Sequence, residues 1–175
     1  MKNTRKLVFM ALFIAMEIVL TRVVSFMPST ITRISLSFIV YAFAGSMFGP
    51  IFGALSAGVG DLVGAVLFPP PGGFMIGFTL SATVTGFIFG FIKLRKGHLK
   101  RLILVLLATT LIVDLGMTTL WVQILSKVPY TTLLISRIPG ILINLGLRFT
   151  ILYILMQRTV QGDLYEDRHS NRSKY

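Results

Sequence analysis

The sequence predicts an all-α integral membrane protein: a bundle of six transmembrane helices with both termini in the cytoplasm. Three observations point that way. The 175 residues are 54% apolar and only 13% charged, with a mean hydropathy of +0.82, whereas soluble domains are about one quarter charged. Uncharged runs of 27 residues (Ile34 to Gly60) and 31 residues (Leu62 to Ile92) each exceed the roughly 20 residues that one crossing needs. The 17 Lys and Arg, against 6 Asp and Glu, stand in blocks between apolar runs, which is the signature of membrane orientation rather than of nucleic-acid binding. A soluble globular fold is excluded.

Each helix follows from local punctuation. The first, 5–25, begins within Met1-Lys2-Asn3-Thr4-Arg5-Lys6, which precedes the apolar run. That opening resembles a signal peptide, but no small-residue cleavage site follows and the apolar run continues to Val24, so the segment reads as a retained span. Gly49-Pro50 divides the next run into helices 34–48 and 50–68, because Pro lacks an N–H and restrains its predecessor. The shorter of the two, 34–48, is expected to tilt or to sit partly inside the bundle. Phe68-Pro69-Pro70-Pro71-Gly72-Gly73 separates the third helix from a fourth over 73–92. Helices over 101–125 and 132–157 complete a membrane domain spanning 1–160, and the polar segment 161–175 reads as a flexible cytoplasmic tail.

Six crossings return the chain to its starting side. The cations of 1–6, of 93–101 and of 158–174 all fall on that side, which makes it the cytoplasm of a bacterial-type plasma membrane. The outer face keeps the connections 26–33, 69–72 and 126–131. No internal repeat supports a transporter of two matched halves.

Several chemistries have no residues to carry them. The chain has no Cys, which excludes disulfides, thiolate metal sites and thiol nucleophiles. No G-x-x-x-x-G-K-[ST] loop is present, so energy for transport must come from a partner. His98 and His169 lie apart and without a carboxylate set, so no metal site is expected.

Ionisable residues inside the spans are Glu17, Arg22, Asp61, Asp114, Arg137 and Arg148. Such groups are costly in hydrocarbon and mark either function or mutual neutralisation. Glu17, Asp114 and Arg148 admit both readings. Asp61, Arg137 and the loop residue Arg33 read as functional from depth and phase, since Asp61 and Phe68, Asp114 and Trp121, and Arg137 and Asn144 each stand seven apart on one helical face. The outer half then sets Arg22, Arg33, Lys127 and Arg137 against Asp61 alone, a balance that suits an anionic ligand. Phe26, Phe68, Phe74, Phe78 and Trp121 gather near the outer connections. Aromatic rings collect at membrane interfaces without any ligand, but rings, a carboxylate and arginines together would suit a heteroaromatic acid.

Ala11 and Ala15, four apart on the first helix, allow another helix to approach closely; Gly45, Gly49, Gly53, Ala57 and Ala65 read as internal packing. Gly58-Val59-Gly60-Asp61 matches the G-x-G-D tetrapeptide of intramembrane aspartyl proteases, with Asp114 as a conceivable second carboxylate. In presenilin-like proteases, however, the other Asp precedes the tetrapeptide, whereas Asp114 follows it.

Longer stretches are more specific. Arg33-Ile34-Ser35-Leu36-Ser37-Phe38, Ala44-Gly45-Ser46-Met47-Phe48-Gly49-Pro50, Gly60-Asp61-Leu62-Val63-Gly64-Ala65, Leu67-Phe68-Pro69 and Gly77-Phe78-Thr79-Leu80-Ser81-Ala82, with the later Thr119-Leu120-Trp121 and Arg137, occur in this order. In order and spacing they resemble the folate-specific substrate-binding (S) components of energy-coupling factor (ECF) vitamin transporters, over about residues 5–157. The resemblance implies a six-helix, non-enzymatic protein that captures folate outside, with riboflavin or pantothenate as alternative vitamins. It implies a membrane scaffold partner, two ATPases that use ATP and Mg, no cofactor in this chain, and lipid but no nucleic acid as other company. Substrate-binding residues implied are Arg33, Asp61, Phe68, Phe74, Phe78, Thr79, Trp121 and Arg137; Ala11 and Ala15 match the family's scaffold-docking motif. Delivery is expected by toppling of the whole component, with the loops at 26–33 and 68–76 as gates. The third connection, Pro69-Pro70-Pro71-Gly72-Gly73-Phe74-Met75-Ile76, departs from the family's usual Phe-Pro-Ser-Gly-Pro-Tyr-Phe-Pro-Gly run.

Overall fold

A computed structural model describes residues 2–24, 26–29, 32–69, 73–92 and 98–172. Six helical rods run through it. The first, α1, spans Lys2–Ile18 and continues as a π-helical turn over Val19–Val23. Then come α2 (Ser37–Phe48), α3 (Pro50–Leu67) and α4 (Ile76–Phe89). The fifth rod, α5, covers Leu99–Ser126, its middle part Thr109–Met117 being π-helical, and α6 covers Tyr130–Arg172.

The expected break between α2 and α3 is made by Gly49 at φ 91°, a left-handed conformation that Gly adopts without a Cβ clash, followed by Pro50 at the first position of α3. The end of α5 turns on Lys127 at φ 58°, whose N–H bonds the Gln123 carbonyl at 2.8 Å.

Three boundaries differ from expectation. The fourth helix is shorter than 73–92, because Gly73 has φ 92° and Met75 is extended, while Gly90 starts a turn. The connection 26–33 forms an antiparallel ribbon, β1 (Phe26–Ser29) with β2 (Thr32–Ile34), pairing Phe26 with Ile34 and Ser29 with Thr32. Thr32 and Ile34 are β-branched, and a two-stranded ribbon has only edges, where Pro28 is tolerated. The last helix runs to Arg172 instead of ending at 157: the polar residues after 157 include no Pro, and Gly162 alone does not end a helix.

Two rods are too short to cross alone. At 12 and 14 residues, α2 and α4 reach about 18 and 21 Å, against about 30 Å of hydrocarbon. As expected, α2 lies partly inside the bundle, its Phe38, Val40, Tyr41, Ala42 and Ala44 all buried, whereas α4 keeps Leu80 and Phe87 exposed. Rods α3 (Pro50–Leu67), α5 (Leu99–Ser126) and the 29-residue stretch Tyr130–Arg158 of α6 are long and apolar enough to span.

Close approach of α3 and α4 depends on absent side chains. A Cβ built at Gly53 would strike the carbonyl of Gly86, and one at Gly86 the carbonyl of Gly53. The main apolar core joins Phe38, Tyr41, Ala57, Phe89, Leu102, Leu106 and Leu152, with a smaller cluster of Phe13, Val40 and Ala44. Because successive helices alternate in direction, the C-terminal ends of α1, α3 and α5 and the N-terminal ends of α4 and α6 meet at the opposite end. That end holds the polar side chains.

Candidate functional site

The site is built around Asp61, six residues before the last residue of α3, hence about 9 Å below that end. Its Oδ1 accepts from Arg22 Nη2 of α1 at 3.1 Å, and its Oδ2 accepts from Thr79 Oγ1 of α4 at 2.8 Å. The Arg22 Nη2 also donates to the Asp61 backbone carbonyl at 3.3 Å. Side-chain exposure is 6% for Arg22 and 14% for Asp61. The lone carboxylate expected in the outer half is therefore already balanced by one of the four cations counted around it.

Trp121 stands on the neighbouring wall. Its Nε1 donates to Ser81 Oγ of α4 at 3.0 Å, and its ring lies over Gly77, where any Cβ would overlap it. Thr79 and Ser81 thus hold Asp61 and Trp121 from a single helix. Phe78 is half-buried on α4, whereas Phe68 and Phe74 remain 52% and 48% exposed at the rim.

The third wall is α6. Arg137 is buried at 7% exposure and donates from Nη1 to Thr119 Oγ1 at 3.0 Å, while its Nε has no hydrogen-bond partner among the described residues. A buried guanidinium held by a neutral hydroxyl leaves positive charge for an anion to meet. Deeper, Arg148 Nη1 pairs with Asp114 Oδ2 at 2.7 Å, and Thr119 Oγ1 donates to the Asp114 carbonyl at 2.9 Å. Glu17 is fully buried, accepts from Tyr41 Oη at 2.9 Å and packs where Gly60 has no Cβ. These inner charges link α5 to α6 and α1 to α2, the structural one of their two readings.

Of the residues singled out in the sequence, Asp61, Thr79, Trp121 and Arg137 meet at this end of the bundle, with Phe78 beside them and Phe68 and Phe74 outside. The side chain of Arg33 lies outside the described residues. Ala11 and Ala15 are exposed on α1, open to a partner helix.

Two phase relations expected from spacing do not hold. Phe68 follows the end of α3 with φ −132° and ψ 81°, so it leaves the face of Asp61. Asp114 and Trp121 are separated by the end of the π segment Thr109–Met117, and they face different helices, Asp114 toward Arg148 and Trp121 toward Ser81. Arg137 and Asn144 are both buried on α6, on either side of Pro139, which sits inside that helix.

Arg22, Ser81 and Gly77 were missed as site residues. Arg22 carried a signal, a charge inside a span, but its partner lies 39 residues away. Asp61 and Asp114 each engage a separate arginine and share no proton between them, which removes the geometry a G-x-G-D protease needs.

A multi-pass helical bundle with buried charges converging below one rim is a membrane protein of the solute-binding or transport class. The chain belongs to the family of ECF transporter substrate-specific components, whose family model matches residues 5–156. It is 37% identical over 139 residues to a folate transporter, FolT, of Clostridium novyi (strain NT), covering 79% of this chain and 80% of that one. A second folate transporter, FolT of Leuconostoc mesenteroides subsp. mesenteroides, is 26% identical over 121 residues, 68% of this chain and 64% of the other. Among solved structures, a crystal structure of FolT bound with folic acid superposes with a TM-score of 0.81 at 28% identity, covering 89% of this chain and 94% of that one. The S component for biotin from an ECF-type ABC transporter shares the fold, with a TM-score of 0.60 at 24% identity over 89% and 93% of the two chains.

Proposed function

We propose that this chain is the folate-binding S component of an ECF transporter, capturing folate outside the cell and delivering it inward. The observation that carries the reading is the relation to FolT over most of the chain, at 37% identity in sequence and a TM-score of 0.81 in structure. The site's chemistry agrees. Folate has a flat ring with N–H donors at one end and carboxylates at the other. The ring would lie against Trp121 and Phe78, with Asp61 accepting from ring N–H groups and Thr79 fixing that carboxylate. Arg137 would meet the glutamyl carboxylates together with Arg33, and Phe68 and Phe74 would close over the ligand from the rim.

Transport would need company. A membrane scaffold subunit would dock on the face of Ala11 and Ala15, and two ATPase subunits would hydrolyse ATP with Mg, since this chain carries no phosphate loop. Toppling in a bacterial plasma membrane would turn the loaded site toward the cytoplasm.

Titration of the detergent-purified protein tests the reading, following the fluorescence of its single Trp and the heat of binding, with riboflavin and pantothenate as controls. Saturable quenching and heat with folate alone are expected. A response to another vitamin and none to folate would retain the family and overturn the substrate.

A further inference from the structure

Ala11, Ala15, Ile18 and Arg22 are spaced four, three and four apart, so an uninterrupted α-helix would place them in one stripe. Burial changes along that stripe. Ala11 and Ala15 are exposed, whereas the Arg22 side chain is only 6% exposed and reaches Asp61 of α3. Arg22 lies within the π turn Val19–Val23, at the end of the helix that packs on α3, where Ile18 and Arg22 both border Gly64. The turn is closed by an i→i+5 bond from the Val24 N–H to the Val19 carbonyl at 3.1 Å. Thr21 supports the turn from inside the bundle, its hydroxyl donating to the carbonyls of Glu17 at 2.7 Å and Ile18 at 3.2 Å.

Room for the guanidinium comes from Gly64, where an added Cβ would stand 3.1 Å from Arg22 Nε. One Arg22 nitrogen then binds both the backbone carbonyl and Oδ1 of Asp61, while Thr79 holds Oδ2 from the other side. A carboxylate offers about four lone-pair positions. Two are taken, and the remainder suffice for adjacent N–H donors on a ring edge.

We propose that Arg22 is a positioning residue for ligand recognition: it reaches across from the π turn that ends α1 and clamps Asp61 in the orientation that receives the ligand's ring. It acts through Asp61 and touches no ligand itself. The proposal rests on the folate reading above, and the experiment separates the two.

The full chain, purified in detergent, is titrated calorimetrically with folate and with pteroic acid, which keeps the ring and lacks the glutamate. Failure of the unaltered protein to bind folate would remove the folate reading itself. Given that binding, Arg22→Gln is expected to weaken folate and pteroic acid by the same factor, about tenfold or more, with part of the loss recovered in Arg22→Lys. Asp61→Asn should do the same, and the double variant Arg22→Gln/Asp61→Asn should be no weaker than the worse single one, because both remove one arrangement. Arg137→Gln, in contrast, should weaken folate and spare pteroic acid. Affinity of Arg22→Gln within about twofold of the unaltered protein, or losses that multiply in the double variant, would overturn the proposal. Should Arg22→Gln fail to fold, Arg22→Lys must show the same equal loss for both ligands and the same non-additivity with Asp61→Asn.

Discussion

Residues of the site are held by what their neighbours lack as much as by what they offer. Gly77 has no side chain where the Trp121 ring sits, Gly64 none where Arg22 passes, and Gly60 none where Glu17 is buried. At each of the three, a helix gives up side-chain volume so that a polar or aromatic group from another helix can enter. Gly77→Ala is therefore expected to displace the Trp121 ring and break its 3.0 Å bond to Ser81, shifting the Trp emission maximum and weakening folate about tenfold. Overpacking of this kind should also cost about 1–3 kcal/mol of stability, read as a lower melting temperature in detergent. Unaltered emission and affinity would mean that the ring yields without consequence. Charges divide similarly by partner. Asp61 and Asp114 each pair with an arginine, whereas Arg137 donates to the Thr119 hydroxyl and makes no ion pair among the described residues; under the folate reading its charge would meet the acidic ligand tail.

Elements of the fold divide into those that cross and those that fill. Rods α3, α5 and α6 have the length and hydropathy to span; α2 and α4 are shorter, α2 being mostly buried while α4 keeps Leu80 and Phe87 on an exposed apolar face. On α1 the division runs along a single helix. Its exposed face carries Ala11 and Ala15, and its buried face carries Phe13 and Glu17. Two bulky residues on the exposed face, Ala11→Trp with Ala15→Trp, should leave folate titrations unchanged while abolishing co-purification with the scaffold subunit. A complex recovered in normal yield would return both alanines to ordinary lipid contact. The breaks of the chain were legible at Gly49-Pro50 and at the Pro/Gly segment after Phe68, because those residues act locally. The π turns were not, since no Pro or Gly break marks Val19–Val23 and the hydroxyls of Thr21 and Thr119 only bond back to their own helices' carbonyls.

At the scale of the whole molecule, the apolar core and the polar site occupy opposite ends. Phe89, Leu102 and Leu106 close the end near the cationic segment 93–101, and Asp61, Trp121 and Arg137 open at the other. An even number of rods with cations on one side predicts both termini in the cytoplasm. The absence of Cys in the chain makes this simple to check with single introduced thiols. In intact cells, a membrane-impermeant maleimide should label Lys127→Cys in the connection between α5 and α6, and should label Lys100→Cys at the start of α5 only after permeabilisation. The reverse pattern would invert the protein and place the site on the cytoplasmic side.

The sequence by itself determined that the chain enters a membrane, how many rods it forms, where most of them break and which end collects the charged and aromatic residues. These properties are sums over neighbouring residues: hydropathy over a run, Pro and Gly at a break, cations in a connection. Its ordered motifs also pointed to the family. Only the tertiary structure decided which charge meets which. Asp61 could have stood alone before a ligand, and spacing placed Trp121 with Asp114. The π segment of α5 parted Trp121 from Asp114, and the missing side chains of Gly64 and Gly77 admitted Arg22 and Trp121 to the site. Pairing between helices depends on rotation and close approach, which no run of adjacent residues encodes, so the site became readable only once the rods were packed.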